Sequence, residues 1–359
     1  MTAALARAHM LSGEDSAAAR IAEQALVPAE LAENMPVLVD ALITRATALS
    51  SLGRVREGTA LLKGAIDLAD TYQLPRAALR AINNLLDSLG ADDRRDASRM
   101  QTAGLEQARR IGDRFWIVRF AFFVAMDLIE EGRYDQAMAL LNEFDPNDMD
   151  HMNAGFFTWG AHRIALLRGA VGARERAVEA ISKWQDDPDP QTAATWQWVA
   201  VEIALRSGDF ADACDRALRI DHGFIPSADH LHLAAEAAFW LRDADRVNEI
   251  SKVLTGLPIR GRMIRGIHRL LSAGRSALVN DMDQAASGFR ELIELWKQVG
   301  MPIQTAETQA LFAALVGQDD PEARAAAKAA YQWIQSSGAN RLLELWAPGL
   351  PRPAVAATG

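Results

Sequence analysis

Apolar positions along the chain recur at helical spacing and break at regular intervals. Within residues 130–144 (EEGRYDQAMALLNEF), Gly132 marks a turn, and Tyr134, Ala137, Leu141 and Phe144 then continue one helical face. The same pattern returns along the chain. Taking the small residue five positions after each turn gives Ala18, Gly58, Ala97, Ala137, Ala177, Ala213, Asn248, Ala285 and Ala323. Their spacings are 40, 39, 40, 40, 36, 35, 37 and 38 residues. A small side chain is needed where the two helices of a hairpin cross closely. Seven residues on, about two helical turns, lie Ala25, Ala65, Gly104, Phe144, Trp184, Ile220, Thr255, Leu292 and Ala330.

The breaks have their own chemistry. Gly13, Gly53, Gly132, Gly172 and Gly208 each sit five residues before the reference position, where a left-handed residue ends the first helix of a pair. In the third unit Gly90 comes two residues early, which predicts a longer turn. The seventh (WLRDADRV) and eighth (LVNDMDQA) units place Asp and Asn at the turn. Helix stops fall at Gln73-Leu74-Pro75, Gly112-Asp113, Asp145-Pro146, Asp186 to Pro190, Ile225-Pro226, Leu257-Pro258 and Gly300-Met301-Pro302. Asp320-Pro321 reads as an N-cap followed by proline at the first helical position. No stretch alternates as a strand does, so the expected fold class is all-α, with about nine helical hairpins.

This pattern resembles the tetratricopeptide repeat family over nearly the whole chain. The resemblance implies a right-handed α-α superhelix, with residues 1–346 as one helical-repeat domain and 347–359, which carries three prolines, as a disordered tail. The period is longer than the standard 34 residues. With tails such as GLEQARRIGDR and ELWKQVGMP, it is similar to the repeats that end bacterial, especially actinobacterial, multidomain regulators. These include ATPase-linked nucleotide cyclases and LuxR- or MalT-like signal-transduction ATPases. Met1 falls almost at the start of a first helix, with Thr2 as its candidate N-cap and Leu5 and Met10 without an N-terminal neighbour. The expectation is that the chain is the C-terminal part of a longer protein or that this end packs on another subunit. At the other end Asn340 is the candidate cap of a short closing helix, RLLELW.

Stacked hairpins bind on the concave side lined by their first helices. Counting back from each turn, the resemblance places Phe122, Met126 and Glu130 in that groove, then Trp159, His162 and Leu166. Trp198, Glu202 and Arg206 follow, then His230 and Leu233. Aromatic residues concentrate in this middle stretch, as an anchor surface needs, although inter-helix core is the alternative place for any one ring. Trp159 and Trp198 are expected to be partly exposed. Trp196 and Trp198, two residues apart, cannot share one face.

The formal net charge of −9 argues against a nucleic-acid surface, which needs clustered cations. The single cysteine, Cys214, allows no internal disulfide. The N-terminus lacks the apolar core of a signal peptide, and no apolar run reaches membrane-spanning length, so a cytoplasmic protein with no membrane partner is expected. The chain carries no phosphate-cradling glycine motif, no H-E-x-x-H and no G-x-S-x-G. No catalytic residue, metal or cofactor is therefore expected. His222, His230 and His232 lie near Asp221, Asp229 and Glu236, but a metal needs three or four converging ligands, and polar surface or inter-helix hydrogen bonding is the expected role. Cys214 is expected to be a packed, inert thiol.

The function these features imply is a non-enzymatic module that binds a peptide, a protein or a small effector in its groove. The partner could be an N-terminal effector domain of the same parent protein. The alternative is the regulatory region of a cyclase or ATPase whose catalytic domains lie upstream, and a spacer without exposed rings is a third reading.

Overall fold

A computed structural model describes residues 1–89, 94–185, 190–220, 228–257 and 260–351. The expected breaks at Gly90, Asp186 to Pro188, Ile225-Pro226 and Pro258, together with His222, lie outside the described residues. The described chain is all-helical, with nineteen α-helices and two short 3-10 turns. The first eighteen form nine successive pairs: α1 (Thr2–Leu11) and α2 (Asp15–Leu31), α3 (Met35–Ser51) and α4 (Val55–Thr71), α5 (Pro75–Leu89) and α6 (Arg94–Ile111). Next come α7 (Arg114–Glu130) and α8 (Tyr134–Leu141), α9 (His151–Arg168) and α10 (Ala173–Gln185), α11 (Pro190–Ser207) and α12 (Phe210–Ala217). The series ends with α13 (Asp229–Leu241) and α14 (Ala244–Gly256), α15 (Arg262–Leu278) and α16 (Met282–Val299), α17 (Pro302–Val316) and α18 (Pro321–Ser337), then α19 (Arg341–Leu345).

The turn chemistry explains the pairing. Gly13, Gly53, Gly132, Gly172 and Gly208 all have φ between 67° and 86°, the left-handed region that glycine enters without a Cβ penalty. In the eighth pair Asn280 takes that role at φ 64°. The seventh pair corrects the sequence reading by one residue. Arg242, not an Asp, adopts φ 54°, and Asp243 instead caps α14 by accepting from the amides of Asp245 and Arg246. The reference position therefore falls on Val247, which is fully buried, while Asn248 is exposed; seven residues on, Leu254 is buried and Thr255 exposed. The other eight reference residues are buried as their small size requires. At Gly58 an added Cβ would lie 2.6 Å from the Ala46 carbonyl oxygen of α3, so the α3–α4 crossing excludes any side chain. Asp320 caps α18 with Pro321 at the first helical position. Two expected caps fail: Thr2 is already helical, and the Asn340 side chain makes no cap bond.

Each helix packs on the next, and the first helix of most pairs also touches the first helix of the following pair. Exposed ion pairs such as Arg168–Asp135, Arg174–Asp209 and Arg290–Glu322 bridge neighbouring pairs. At the surface each is worth about 0–1 kcal/mol.

A second set of contacts joins distant parts of the chain. α17 touches α13, and α19 touches both α9 and α11. One apolar cluster combines Phe120, Phe122, Tyr134 and Phe157 with Ala306, Ala310, Leu342, Trp346 and Leu350. Three arginines bind the last carbonyls of helices far from them in sequence. Arg341 donates to the Arg206 and Ser207 oxygens at the end of α11 (3.1 and 2.6 Å), Arg242 to Ala314 in α17 (2.8 Å), and Arg95 to Lys297 in α16 (2.9 Å). Those carbonyls have no partner within their own helix, and a cation there also opposes the negative end of the helix dipole.

The expected disordered tail also needs correction at its start. Ala347–Gly349 form a 3-10 turn, Leu350 is buried, and Gln318 donates to the Leu350 oxygen at 2.8 Å. Gly349 lies so close to the α17 backbone that a Cβ would come within 2.7 Å of the Ala310 carbonyl carbon. Residues 352–359 lie outside the described residues.

Candidate functional site

Of the eleven residues expected in the groove, Glu130, Glu202 and Arg206 are buried in one network, and His230 is buried as well. Glu130 ends α7, Glu202 and Arg206 lie one turn apart on α11, and His230 opens α13. Two of them are linked by a residue that the sequence reading passed over. Arg163 of α9 donates from Nη2 to Glu130 (2.6 Å) and from Nε to Glu202 (2.7 Å). Arg206 then continues the chain: its Nε lies 3.9 Å from Glu202, its Nη1 lies 3.6 Å from Glu236 of α13, and its Nη2 bonds Glu307 of α17. Glu236 also accepts from the indole N–H groups of Trp240 and Trp346, each at 3.3 Å. The network thus crosses α7, α9, α11, α13 and α17, and Trp346 ties in the C-terminal segment.

Local spacing sets this geometry. Glu130 and Arg206 stand two residues before the left-handed residues Gly132 and Gly208; Arg163, Glu202 and Glu236 stand six before Gly169, Gly208 and Arg242. Positions two and six before a turn are four apart and share one helix face. Successive first helices therefore present their charges at the same level.

Every charged member is at least nine-tenths buried, so pairing governs its ionisation. Burial alone would raise the Glu130 carboxyl, but Arg163 and Arg94 outweigh it and hold the group at about 2. Burial opposes charge on Arg163 and Arg206 as well; the facing carboxylates outweigh it and lift both guanidiniums above their usual range. Glu236 goes the other way. Burial and the negative charge of Glu307 push its carboxyl up to about 8, against the pull of Arg206. Burial lowers His232, which packs edge-on to Trp296 at 5.7 Å. Four carboxyl groups and two guanidiniums thus share one buried network. Beside the network, Arg94 pairs with Asp127 at 2.9 Å.

The remaining groove candidates divide. Phe122 is buried and stacks on Phe156, with centroids 4.9 Å apart and planes 18° apart. Trp159 is buried with Ala173, Ala177 and Ile181 of the α10 side, which corrects the expectation of a partly exposed ring. The reason is that α10 and α11 pack on that side of α9. Leu166 and Leu233 are buried too. Met126, His162 and Trp198 stay half-buried, and Trp196, two residues from Trp198, is in the core. Arg119, which was not among the candidates, lies over the half-buried rings of Phe123 (4.8 Å) and Phe156 (5.0 Å) and donates to Asn83. Sequence reasoning also missed Arg163, Glu236 and Glu307 as partners, although the four-residue spacing of His232 and Glu236 pointed to that face.

This arrangement holds helices together. Cys214 is buried, its thiol pushed up to about 11 by burial, with its Sγ 3.4 Å from the Ala234 oxygen. Among the described residues, no group of three or more His, Cys, Asp or Glu is placed to hold a metal ion. No described helix is long and apolar enough to cross a membrane. Compared with protein-family models and with curated proteins, the chain matches none.

Proposed function

We propose that the chain is a non-enzymatic interaction or effector-sensing module built as a tetratricopeptide-like, right-handed superhelix of about nine hairpins. It acts as the regulatory part of a bacterial signalling or transcription-regulating protein and takes a peptide, a protein segment or a small effector on the face made by its first helices. The observation that carries this reading is that the charged residues of successive first helices stand at matching levels before each turn and converge on one network. Beside that network, Met126, His162, Trp198 and the Arg119–Phe123–Phe156 group keep part of their surface open. Half-buried rings with a few charges supply the contact area and orientation that a bound segment needs.

The test is a screen of the full chain against a peptide library and a nucleotide and sugar panel, read by tryptophan emission and thermal shift. The expected result is a saturable response from at least one probe that weakens in Trp198→Ala, His162→Ala or Phe156→Ala variants of unchanged helicity. A response from any probe that all three variants retain would place binding elsewhere and refute the site.

A further inference from the structure

Part of the face that the first helices offer is already occupied by the chain's own C-terminal segment. α17 brings Glu307 onto Arg206; α19 runs along α9 and α11; Trp346, 1% exposed, gives its indole N–H to Glu236. Arg341 seals the end of α11 by donating to two of its last carbonyls. The turns of three successive pairs abut this segment. A Cβ at Gly132 would meet Ser337, one at Gly169 would lie 3.5 Å from the Arg341 amide, and one at Gly208 would lie 3.0 Å from Leu345. These contacts are charge-specific and directional, unlike a generic apolar end-cap. They include a carboxylate on a buried guanidinium, an indole on a buried carboxyl group, and a guanidinium on a helix C-terminus.

From this geometry we infer that residues 302–351 are an intramolecular ligand seated on a binding site made by α7, α9, α11 and α13, and that a partner segment offering a carboxylate to Arg206 and an indole to Glu236 binds there by displacing them. The inference rests on the reading of the chain as an interaction module and names the partner's chemistry. Arg206 reads the acidic residue, Glu236 reads the indole nitrogen, and the α11 carbonyls read a basic residue on the same segment. Displacement trades one set of bonds for an equivalent set, so a matching partner removes the buried charges' partners only to replace them. A segment with no acceptor at that position would leave Arg206 short of a partner and would not compete.

The experiment uses the full chain and two opening variants, Arg341→Ala and Trp346→Ala. Arg341→Ala removes only a side chain at the rim, so it reports even where Trp346→Ala costs too much fold. Hydrogen exchange is followed by mass spectrometry, and the probe is a fluorescein-labelled peptide of residues 302–351 of this chain. The expected result is exchange at least tenfold faster in 302–316 and 341–350, with no change in α3 and α4. The peptide should bind the variants at least tenfold more tightly than the unsubstituted chain, and a Glu307→Gln, Trp346→Ala double-substituted peptide should lose that gain. Unchanged exchange in both variants, or a peptide that binds the unsubstituted chain as tightly, overturns the inference. The two readings fail separately. If opened variants capture their own segment but no unrelated acidic, Trp-containing helical peptide, the latch stands and the interaction module falls. If the unsubstituted chain binds such a peptide as tightly as the variants do, the module stands and the latch falls.

Discussion

Replacing Arg206 by methionine is the most informative single perturbation. The guanidinium faces Glu307, Glu236 and Glu202, and only Glu202 has a second cation, Arg163. Methionine fills much of the stem volume but leaves Glu307 buried and 1% exposed without its cation. Removing one partner of a buried ion pair costs about 3–5 kcal/mol, because the remaining charge is stranded away from water. A loss of about 4 kcal/mol would raise the opening of the affected region roughly a thousandfold. Glu307→Gln should cost far less, about 1 kcal/mol, since the amide oxygen still accepts from Arg206 and one negative charge leaves a crowded cluster. The double variant Arg206→Met, Glu307→Met should cost less than the sum of its single variants by about 2 kcal/mol, as directly coupled residues do.

The place of the loss matters as much as its size. Where each pair stabilises only its neighbours, damage at Arg206 would stay within α9 to α14. The contact with Glu307 requires instead that α17 and α19 lose protection together with α11. Hydrogen exchange of the full chain resolves both points. A cost below about 1 kcal/mol, or protection lost in α11 and its sequence neighbours alone, would refute the account of the network as the tie between the C-terminal segment and the rest.

Three further outcomes follow from the same structure. Glu236 has a folded value of about 8 against an ordinary 4.5, so its contribution to stability is complete below pH 4.5 and is lost as pH rises through 8. Glu130, at about 2, contributes above pH 4.5 and loses that contribution as pH falls through 2, while lowered His232 contributes above its ordinary 6.5 and loses that below it. Urea midpoints should therefore decline between pH 6.5 and 8 by up to about 1.4 kcal/mol per pH unit, and Glu236→Gln should flatten the decline; parallel profiles for the two proteins would contradict the assignment. Val247→Asp should cost more than about 3 kcal/mol by thermal or urea melting, and Asn248→Asp less than about 0.5, because only the first side chain is in the core; equal costs would restore the one-residue-earlier register read from spacing alone. Arg290→Ala should change the melting free energy by less than about 0.5 kcal/mol, since its pair with Glu322 is half-exposed on both sides, and a larger loss would show that the surface ladder matters more than argued.

What the sequence made legible was local, and what it concealed was long-range. A left-handed glycine ends a helix through its own backbone, so Gly13, Gly53, Gly132, Gly172 and Gly208 could be read one by one. The seventh turn slipped because Arg242, a residue with no preference for that conformation, was held there by its surroundings, including its bond to Ala314 from α17. Trp159 was misjudged for a nearer reason: counting from a turn identifies a helix face, but not that the adjoining α10 and α11 cover it. A signal was nevertheless present. Every residue from His230 to Phe239 is buried. A helix without a polar face is enclosed on all sides, which a row of hairpins touching only their neighbours does not provide. Glu130, Arg163, Glu236 and Glu307, charges set in largely apolar stretches, are then not stray surface groups. Buried without partners they would unfold the helices that carry them. Arg163 pairs with Glu130 and with Glu202, while Arg206 joins Glu236 to Glu307, so the closure of residues 302–351 supplies only the last part of that pairing. For the same reason any partner that opens that closure must bring charges of its own.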